Sequence, residues 1–135
     1  MRLVLDTNVV ISSFINPSGK PSQIVKIILG HGAELCYNSA IISEYESVMA
    51  RPKFSEKINS DNIHRFINLI RNIGISFDPL PSKIKLPDES DRIFYDTAKG
   101  SGFVLISGNV QHFPKEPFIM LPADFLKIFE NKKDK

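Results

Sequence analysis

The chain has 135 residues, of which 42% are hydrophobic, and this length and composition fit one compact domain with a single core. Its formal net charge is +2, from 17 basic and 15 acidic residues, which excludes a strongly basic protein that binds nucleic acid through its overall charge. Any contact with nucleic acid must therefore be local.

Strand-like and helix-like segments alternate along the chain. Short apolar runs predict strands at residues 3–5, 34–37, 75–77, 103–106 and 118–121. Helical patterns follow the first strand directly and recur at residues 21–30, 40–50, 61–72, 90–99 and 123–129. Gly30, Gly74 and Gly100 are the predicted helix stops. This alternation predicts an α/β fold with three layers, α/β/α, around a central parallel sheet of four to five strands.

We expect residues 1–130 to form this single domain and the polar residues 131–135 to form a tail. Residues 79–87, which are punctuated by prolines, are predicted to be a surface loop. The apolar runs are far shorter than the roughly 20 residues that cross a bilayer, and no signal-peptide pattern opens the chain. Cys36 is the only cysteine, so no internal disulfide can form. We therefore expect a cytoplasmic protein with no membrane segment.

The first predicted strand runs directly into Asp6. In an open parallel sheet, the carboxyl ends of the strands border the crevice where ligands bind, so Asp6 is placed for chemistry. The alternative is that Asp6 only caps the following helix, and this would be the better account of an isolated aspartate. Asp6 is not isolated, because polar groups at Glu44, Asp91 and Asn109 occupy corresponding points of later elements.

Glu44 belongs to the helix predicted after the second strand. It shares a helix face with Ser47 and Arg51, away from the apolar stripe of that helix, so Glu44 and Arg51 could face one cleft. Taken alone, Glu44 is better explained as an ordinary solvated side chain. The functional interpretation depends on the other acidic residues.

Asp91 opens a later helix together with other acidic residues such as Asp88. Complementation of the helix dipole would explain acids at this position, and Arg92 and Asp96 would form an exposed ion pair. The next strand, however, runs into polar residues that include Asn109. A second strand exit is therefore marked by polar groups.

Converging carboxylates cannot all stay ionised without a cation between them. Mg²⁺ prefers oxygen ligands and is usually held by one or two carboxylates together with phosphate oxygens of a substrate. Asp6, Glu44 and Asp91, which come from separate elements, suit Mg²⁺ or Mn²⁺, and a phosphodiester is the natural substrate of such a site.

These motifs resemble those of the PIN-domain nucleases, particularly the toxin ribonucleases of bacterial and archaeal toxin–antitoxin pairs. The resemblance covers nearly the whole chain and rests on Leu5-Asp6-Thr7-Asn8, on Glu44 followed by Val48 and Arg51-Pro52-Lys53, on Asp91 seven residues before Ala98, and on Leu105-Ile106-Ser107-Gly108-Asn109. It implies a metal-dependent endoribonuclease of single-stranded RNA, with Asp6, Glu44 and Asp91 as the acidic core. The implied partners are RNA, a small antitoxin protein that occupies the cleft, and a second copy of the chain.

One position departs from the family pattern, because the fourth acidic position is Asn109 here. Its amide oxygen can still bind a metal or hold a metal-bound water, but the missing charge should weaken any second metal site. We therefore count Asn109 among the catalytic residues and expect Asn109 and Ser107 to position water or substrate.

Three further residues are expected to support the acidic core. Thr7 and Asn8 are predicted to fix the carboxylate of Asp6. Asp96 lies about 140° around its helix from Asp91, so we expect it to support the metal ligands without binding the metal itself.

The basic side chains predicted to bind RNA phosphates are Arg51, Lys53, Lys20 and Arg92, with Lys99 and His112 as further candidates. Two or three of them are expected to touch phosphate, which gives an affinity that falls with salt and little reading of sequence. The three histidines, His31, His64 and His112, lack the spacing of metal ligands and are interpreted as surface or helix-end residues.

Two alternatives remain. The Asn109 departure suits a chain that has lost catalysis and binds RNA or an antitoxin. A phosphotransferase of the haloacid dehalogenase type would use Asp6 as nucleophile and Ile106 to Asn109 as its second motif. The fit is poor, because that family has an aspartate where Asn8 stands, and it has a later pair of acids.

Overall fold

The structure, a computed structural model, describes residues 1–133. The strands are β1 (Arg2–Leu5), β2 (Glu34–Tyr37), β3 (Ile75–Ser76), β4 (Val104–Ile106) and β5 (Ile119–Met120). The helices are α1 (Thr7–Ile15), α2 (Lys20–Leu29), α3 (Ser39–Met49), α4 (Pro52–Ser55), α5 (Ser60–Ile73), α6 (Arg92–Ser101) and α7 (Pro122–Lys133). Single 3-10 turns at Glu89–Asp91 and Val110–His112 precede α6 and follow β4. The predicted three-layer α/β fold is confirmed, with a parallel sheet of five strands.

β1 lies at the centre of the sheet, whose strand order is β3-β2-β1-β4-β5. Its residues Leu3, Val4 and Leu5 are fully buried, which explains why these three successive residues are all apolar. From β1 the chain builds β2 and β3 on one side and then β4 and β5 on the other, so the order reverses beside β1. The crevice at the carboxyl ends of β1 and β4 is the place where sheets of this kind bind ligands.

Glycines end three of the helices, but not always the predicted ones. Gly30 and Gly74 end α2 and α5 as predicted. Gly100 does not end α6, because this helix continues to Ser101 and stops at Gly102. Gly102 has a φ of 73°, the left-handed conformation that glycine adopts without the steric cost of a side chain.

Two further boundaries differ from the sequence prediction. The short helix α4 was not predicted; it begins directly after Arg51 with Pro52 in its first turn, where a missing N–H costs nothing. α7 continues three residues into the predicted polar tail, and residues 134 and 135 lie outside the described residues. In the part of the chain that is described, no helix is long and apolar enough to span a membrane.

Residues 77–88 form an irregular connector between β3 and the 3-10 turn that precedes α6. The prediction of a loop is confirmed, but the connector is not simply a surface segment. Ser82, Ile84 and Leu86 are half-buried while the residues between them are exposed. Ile84 and Leu86 pack against the hydrophobic core, so the connector lies along the molecule as a strap.

Candidate active site

A pocket of about 450 Å³ opens at the carboxyl edge of β1. It is lined by residues of the β1–α1 junction, of α1, α3, α4 and α6, and of the segments before α6 and after β4. These are Asp6, Thr7, Asn8, Ile11, Ser12, Ile15, Glu44, Val48, Arg51, Lys53, Phe54, Asp91, Phe94 and Asn109. The four predicted catalytic residues therefore meet in one pocket. A larger cavity of about 740 Å³ lies beside β5, but the charged residues in its lining are only Lys115 and Glu116.

Asp6 is buried and held by hydrogen bonds to both carboxylate oxygens. The N–H of Thr7 donates to Oδ1 at 2.8 Å, and the hydroxyl of Ser107 donates to Oδ2 at 2.7 Å. Burial raises the pKa of Asp6, and these two hydrogen bonds act in the opposite direction. Asp6 is also the N-cap of α1, so the capping role and the pocket role belong to the same side chain.

The segment after β4 is fastened to the end of β1. The Ser107 hydroxyl that donates to Asp6 accepts the N–H of Asn109 at 2.9 Å. Asn8 was predicted to fix the Asp6 carboxylate, but the hydrogen bond that its side chain makes is to another residue: its Oδ1 accepts the N–H of Gly108 at 3.1 Å. Ser107 was expected to position water or substrate, but its hydroxyl binds the Asp6 carboxylate. These bonds fix the two strand exits relative to each other.

Asp91 is held far less completely than Asp6. Its side chain is 15% exposed, and its buried Oδ2 has no hydrogen-bond partner within residues 1–133. Burial, together with the charges of Asp6 and Asp88, raises the pKa of Asp91 to about 6. The charge of Glu44 acts in the same direction. A carboxylate in these surroundings favours a nearby cation.

Glu44 lines the pocket from α3, and the residue after it, Tyr45, fastens this helix to β1. Tyr45 is fully buried, and its hydroxyl donates to the carbonyl oxygen of Leu5 at 2.6 Å. This bond holds α3 against the carboxyl end of β1, next to Asp6. The prediction that Glu44 and Arg51 face one cleft is confirmed, because both line the pocket.

The acidic residues fit a divalent cation that takes part of its coordination from water. Within residues 1–133, no three His, Cys, Asp or Glu side chains are close enough to form a complete metal-binding group. Mg²⁺ does not need one, because it usually keeps several waters and binds one or two carboxylates. The unpartnered Oδ2 of Asp91 and the raised pKa values of Asp6 and Asp91 are the observations that fit such an ion.

The predicted RNA-binding cations do not all lie at this pocket. Arg51 and Lys53 line it. Lys20 is in the first turn of α2, outside the lining residues. Lys99 lies near the end of α6, with its ammonium 5.6 Å from the ring centroid of Tyr95.

Arg92, which was predicted to bind RNA, is outside the residues that line the pocket, and its guanidinium is hydrogen-bonded within the protein. Its guanidinium donates to Glu89 at 2.6 and 2.9 Å, to the carbonyl oxygen and hydroxyl of Ser82 at 2.9 and 3.0 Å, and to the carbonyl oxygen of Ile84. The ion pair of Arg92 is therefore with Glu89, one helical turn away, and the predicted pair with Asp96 is wrong.

Asp96 was predicted to support the metal ligands, but it binds the connector instead. It is buried, and its Oδ2 accepts the N–H of Ser82 at 3.0 Å. The rotation of about 140° between Asp91 and Asp96 explains the difference, because one faces the pocket and the other faces the strap.

His112 lies closer to the acidic residues than its spacing in the sequence suggested. It ends the 3-10 turn after Asn109, and its Nδ1 is 3.7 Å from Oδ2 of Asp91. In the sequence, His112 could have been noticed only because it lies three residues after Asn109, the position that departs from the family pattern.

Comparison with known proteins identifies the family. The family model described as PIN domain matches residues 2–111, a range that contains Asp6, Glu44, Asp91 and Asn109. Uncharacterized protein MJ1680 of Methanocaldococcus jannaschii is 26% identical over 110 residues, which cover 81% of this chain and 71% of that protein. PIN domains are usually metal-dependent nucleases. Since the family model matches most of the chain, the protein belongs to the PIN domain family.

Proposed function

We propose that this PIN domain is an endoribonuclease that cleaves single-stranded RNA with Mg²⁺ or Mn²⁺. One observation carries the proposal: Asp6, Glu44 and Asp91, from three separate elements, line one pocket where the sheet order reverses. Burial raises the pKa of both aspartates, so a cation bound between them would stabilise their ionised forms.

Each residue of the pocket would have a distinct role in binding the metal or the RNA. When bound, a divalent cation supplies neutralisation of phosphate charge and an acidified water. Asp6 and Asp91 would hold the ion, and the hydrogen bonds from Ser107 and Thr7 would keep the Asp6 carboxylate in one orientation. Glu44 would bind the ion or one of its waters from the α3 side.

Arg51 and Lys53 would bind the RNA backbone beside the acidic cluster. Both line the pocket, and both carry positive charge that attracts phosphates without reading bases. The neutral amide of Asn109 would position water or substrate. The restriction to single strands and to RNA is supported by the family resemblance.

The test is cleavage of an RNA of mixed sequence, about 20 nucleotides long and labelled at its 5′ end. The reaction is run in the presence of Mg²⁺, Mn²⁺ or EDTA. We expect internal cuts in single-stranded RNA only when the metal is present, and little cutting of the matching duplex or DNA. Equal cutting in EDTA would contradict the proposal. Binding of RNA without cleavage under every condition would favour the alternative that the missing charge at Asn109 has left a binding module.

We also propose that the chain is the toxin of a toxin–antitoxin pair in the cytoplasm, with a small antitoxin protein and a second copy of the chain as partners. The support is the family resemblance and the single buried cysteine, Cys36, which suits a reducing compartment. Expression of the chain should arrest growth, and co-expression of a small protein encoded beside it should restore growth. Light scattering of the purified chain should give the mass of a dimer.

A further inference from the structure

An imidazole to which the proposed function gives no role, that of His112, lies beside the acidic cluster formed by Asp6, Glu44 and Asp91. His112 Nδ1 lies 3.7 Å from Oδ2 of Asp91, a distance too long for a hydrogen bond. The same Oδ2 is buried and has no hydrogen-bond partner within residues 1–133. An oxygen and a nitrogen of the types that can bind metals therefore lie 3.7 Å apart.

A positive charge on His112 would act on other carboxylates as well as on Asp91. Its positive charge, when present, lowers the pKa of Asp6, Asp88 and Asp91. These carboxylates come from the end of β1 and from the segment before α6, whereas His112 comes from the 3-10 turn after β4. His112 is not among the residues that line the pocket, but its imidazole is 45% exposed and so is not locked in place by packing.

The distance of 3.7 Å between the two atoms would allow them to share a divalent ion. Two ligands that each lie about 2.1 Å from an ion and 3.7 Å from each other subtend about 120° at the ion. Closing the angle to the 90° of an octahedron brings the two atoms to about 3.0 Å apart. A shift of less than 1 Å by the half-exposed imidazole is enough.

We propose that His112 is a nitrogen ligand of the divalent ion held by Asp91, and that it gives the site a preference for transition ions such as Mn²⁺ over Mg²⁺. This inference rests on the proposed function. Asn109 removes a charged oxygen ligand from the altered family position, and His112, three residues later, supplies a nitrogen in its place. Imidazole is a good ligand for first-row transition ions, whereas Mg²⁺ selects oxygen.

The first test is electron spin echo spectroscopy of Mn²⁺ bound to the full chain, prepared with either ¹⁴N-histidine or ¹⁵N-histidine. The wild type should show coupling to an imidazole nitrogen that changes with the isotope. His112→Gln should lose this coupling, and the matched variant His64→Gln, at an exposed position of α5, should keep it. Mn²⁺ bound by the wild type without any nitrogen coupling would overturn the inference.

The second test is the affinity for each ion, measured by calorimetry with the metal alone. His112→Gln should weaken Mn²⁺ binding at least about tenfold and change Mg²⁺ binding much less. His112→Asp should restore an oxygen ligand and move the preference back toward Mg²⁺. Equal losses for both ions in His112→Gln would contradict the inference.

The two tests separate this inference from the proposed function. If Mn²⁺ binds without nitrogen coupling and Asp91→Asn abolishes binding, His112 is not a ligand but the acidic metal site stands. If the wild type binds neither Mn²⁺ nor Mg²⁺ at millimolar concentration, both are wrong.

Discussion

Asp6 and Asp91 lie at the same edge of the sheet, but the protein holds their charges differently. Asp6 accepts hydrogen bonds at both oxygens, from Thr7 and Ser107. Within the described residues, Asp91 Oδ2 has no such partner, and burial beside other carboxylates raises the pKa of Asp91 to about 6. Asp91 therefore has an oxygen without a partner that a cation could bind, and its raised pKa means that its ionised form costs folding free energy in the metal-free chain.

Replacing Asp91 by asparagine should stabilise the metal-free protein at neutral pH. The folded state binds the Asp91 proton more tightly than the unfolded state, whose pKa is near 3.8, so stability falls as the pH rises from about 4 to about 6. Above that window the variant avoids the cost, which is roughly 1 kcal/mol after allowance for solvent screening, and its Tm should be a few degrees higher. Thermal melts in EDTA at pH 7.5 and pH 4 measure the difference.

At pH 4 the gain of Asp91→Asn should disappear, because the wild-type carboxyl is then largely protonated in the folded state. Asp78→Asn, at an exposed position of the connector, is the matched control and should change little at either pH. A variant at Asp91 that is less stable than the wild type at both pH values would show that the carboxylate is not destabilising.

The positions of the acids could be predicted from the sequence, but their partners could not. Strand exits and helix starts follow from local patterns, which placed Asp6, Glu44 and Asp91 correctly in one pocket. The bond from Ser107 to Asp6 joins residues 101 positions apart and depends on the register of β1 against β4. The register of β1 against β4 cannot be predicted from the local sequence of either strand.

Asn38 joins three elements of the fold. Its side-chain oxygen accepts the N–H of Ile41 at the start of α3, and its amide donates to the carbonyl oxygen of Phe77 at 3.0 Å and to the hydroxyl of Thr97 on α6 at 2.9 Å. Asn38 is almost fully buried, so these bonds have no water to replace them. α3 carries Glu44, and α6 begins directly after Asp91. The relative positions of these two helices depend on Asn38.

Asn38→Ala should cost roughly 2–4 kcal/mol of folding free energy, because it removes a helix cap and leaves buried polar groups without partners. Asn59→Ala is the matched control. Asn59 caps α5 with one bond to the N–H of Asp61 in an exposed position, so its loss should cost about 1 kcal/mol. Urea unfolding compares the two, and equal losses would contradict the role given to Asn38.

The connector is fastened to α6 by Arg92 and Asp96, which both bind Ser82. Arg92→Ala removes the guanidinium bonds and should let the connector open. Trypsin should then cut after the exposed Lys83 and Lys85 about tenfold faster than in the wild type under native conditions, as measured by mass spectrometry. Arg71→Ala, on the exposed face of α5, should leave the rate unchanged; an unchanged rate in Arg92→Ala would contradict the strap.

Helices and strands could be located from the sequence because their periods are local. The boundaries that failed depend on backbone conformation or on tertiary contacts. Gly100 and Gly102 are equivalent stop signals in the sequence, and only the positive φ of Gly102 distinguishes them. The path of residues 77–88 is set by contacts with α6, which no pattern inside the connector reveals.

At the scale of the whole molecule, the strand order creates the site. Alternation of strands and helices predicts a parallel sheet, but several strand orders satisfy it. The order β3-β2-β1-β4-β5 puts the exits of β1 and β4 side by side, and it brings Asp6 to the segment that holds Asn109 and His112. The order is decided by packing of the complete chain, so the convergence of the acids was a hypothesis until the fold was known.

The small net charge limits how RNA can bind. With Arg51 and Lys53 as the cations of the pocket, two or three phosphate contacts predict a slope of about −1.4 to −2.1 for log affinity against log salt. The slope can be measured by fluorescence anisotropy with single-stranded RNA and the variant Asp6→Asn, which we expect not to cleave the RNA. Arg51→Gln and Lys53→Gln should each reduce the slope by about 0.7, and Lys127→Gln, exposed on α7, should not. An unchanged slope in the double variant would place the RNA elsewhere.

We propose that the acids at the strand exits, Asp6 and Asp91 among them, form the site of RNA cleavage. The direct measurement is the single-turnover cleavage rate of single-stranded RNA at saturating Mn²⁺ for the wild type, Asp6→Asn, Asp91→Asn and the exposed control Asp78→Asn. Loss of a metal-binding carboxylate should slow cleavage by about 10²-fold or more, while the control cleaves at the wild-type rate. Wild-type rates in both Asp6→Asn and Asp91→Asn would contradict the claim.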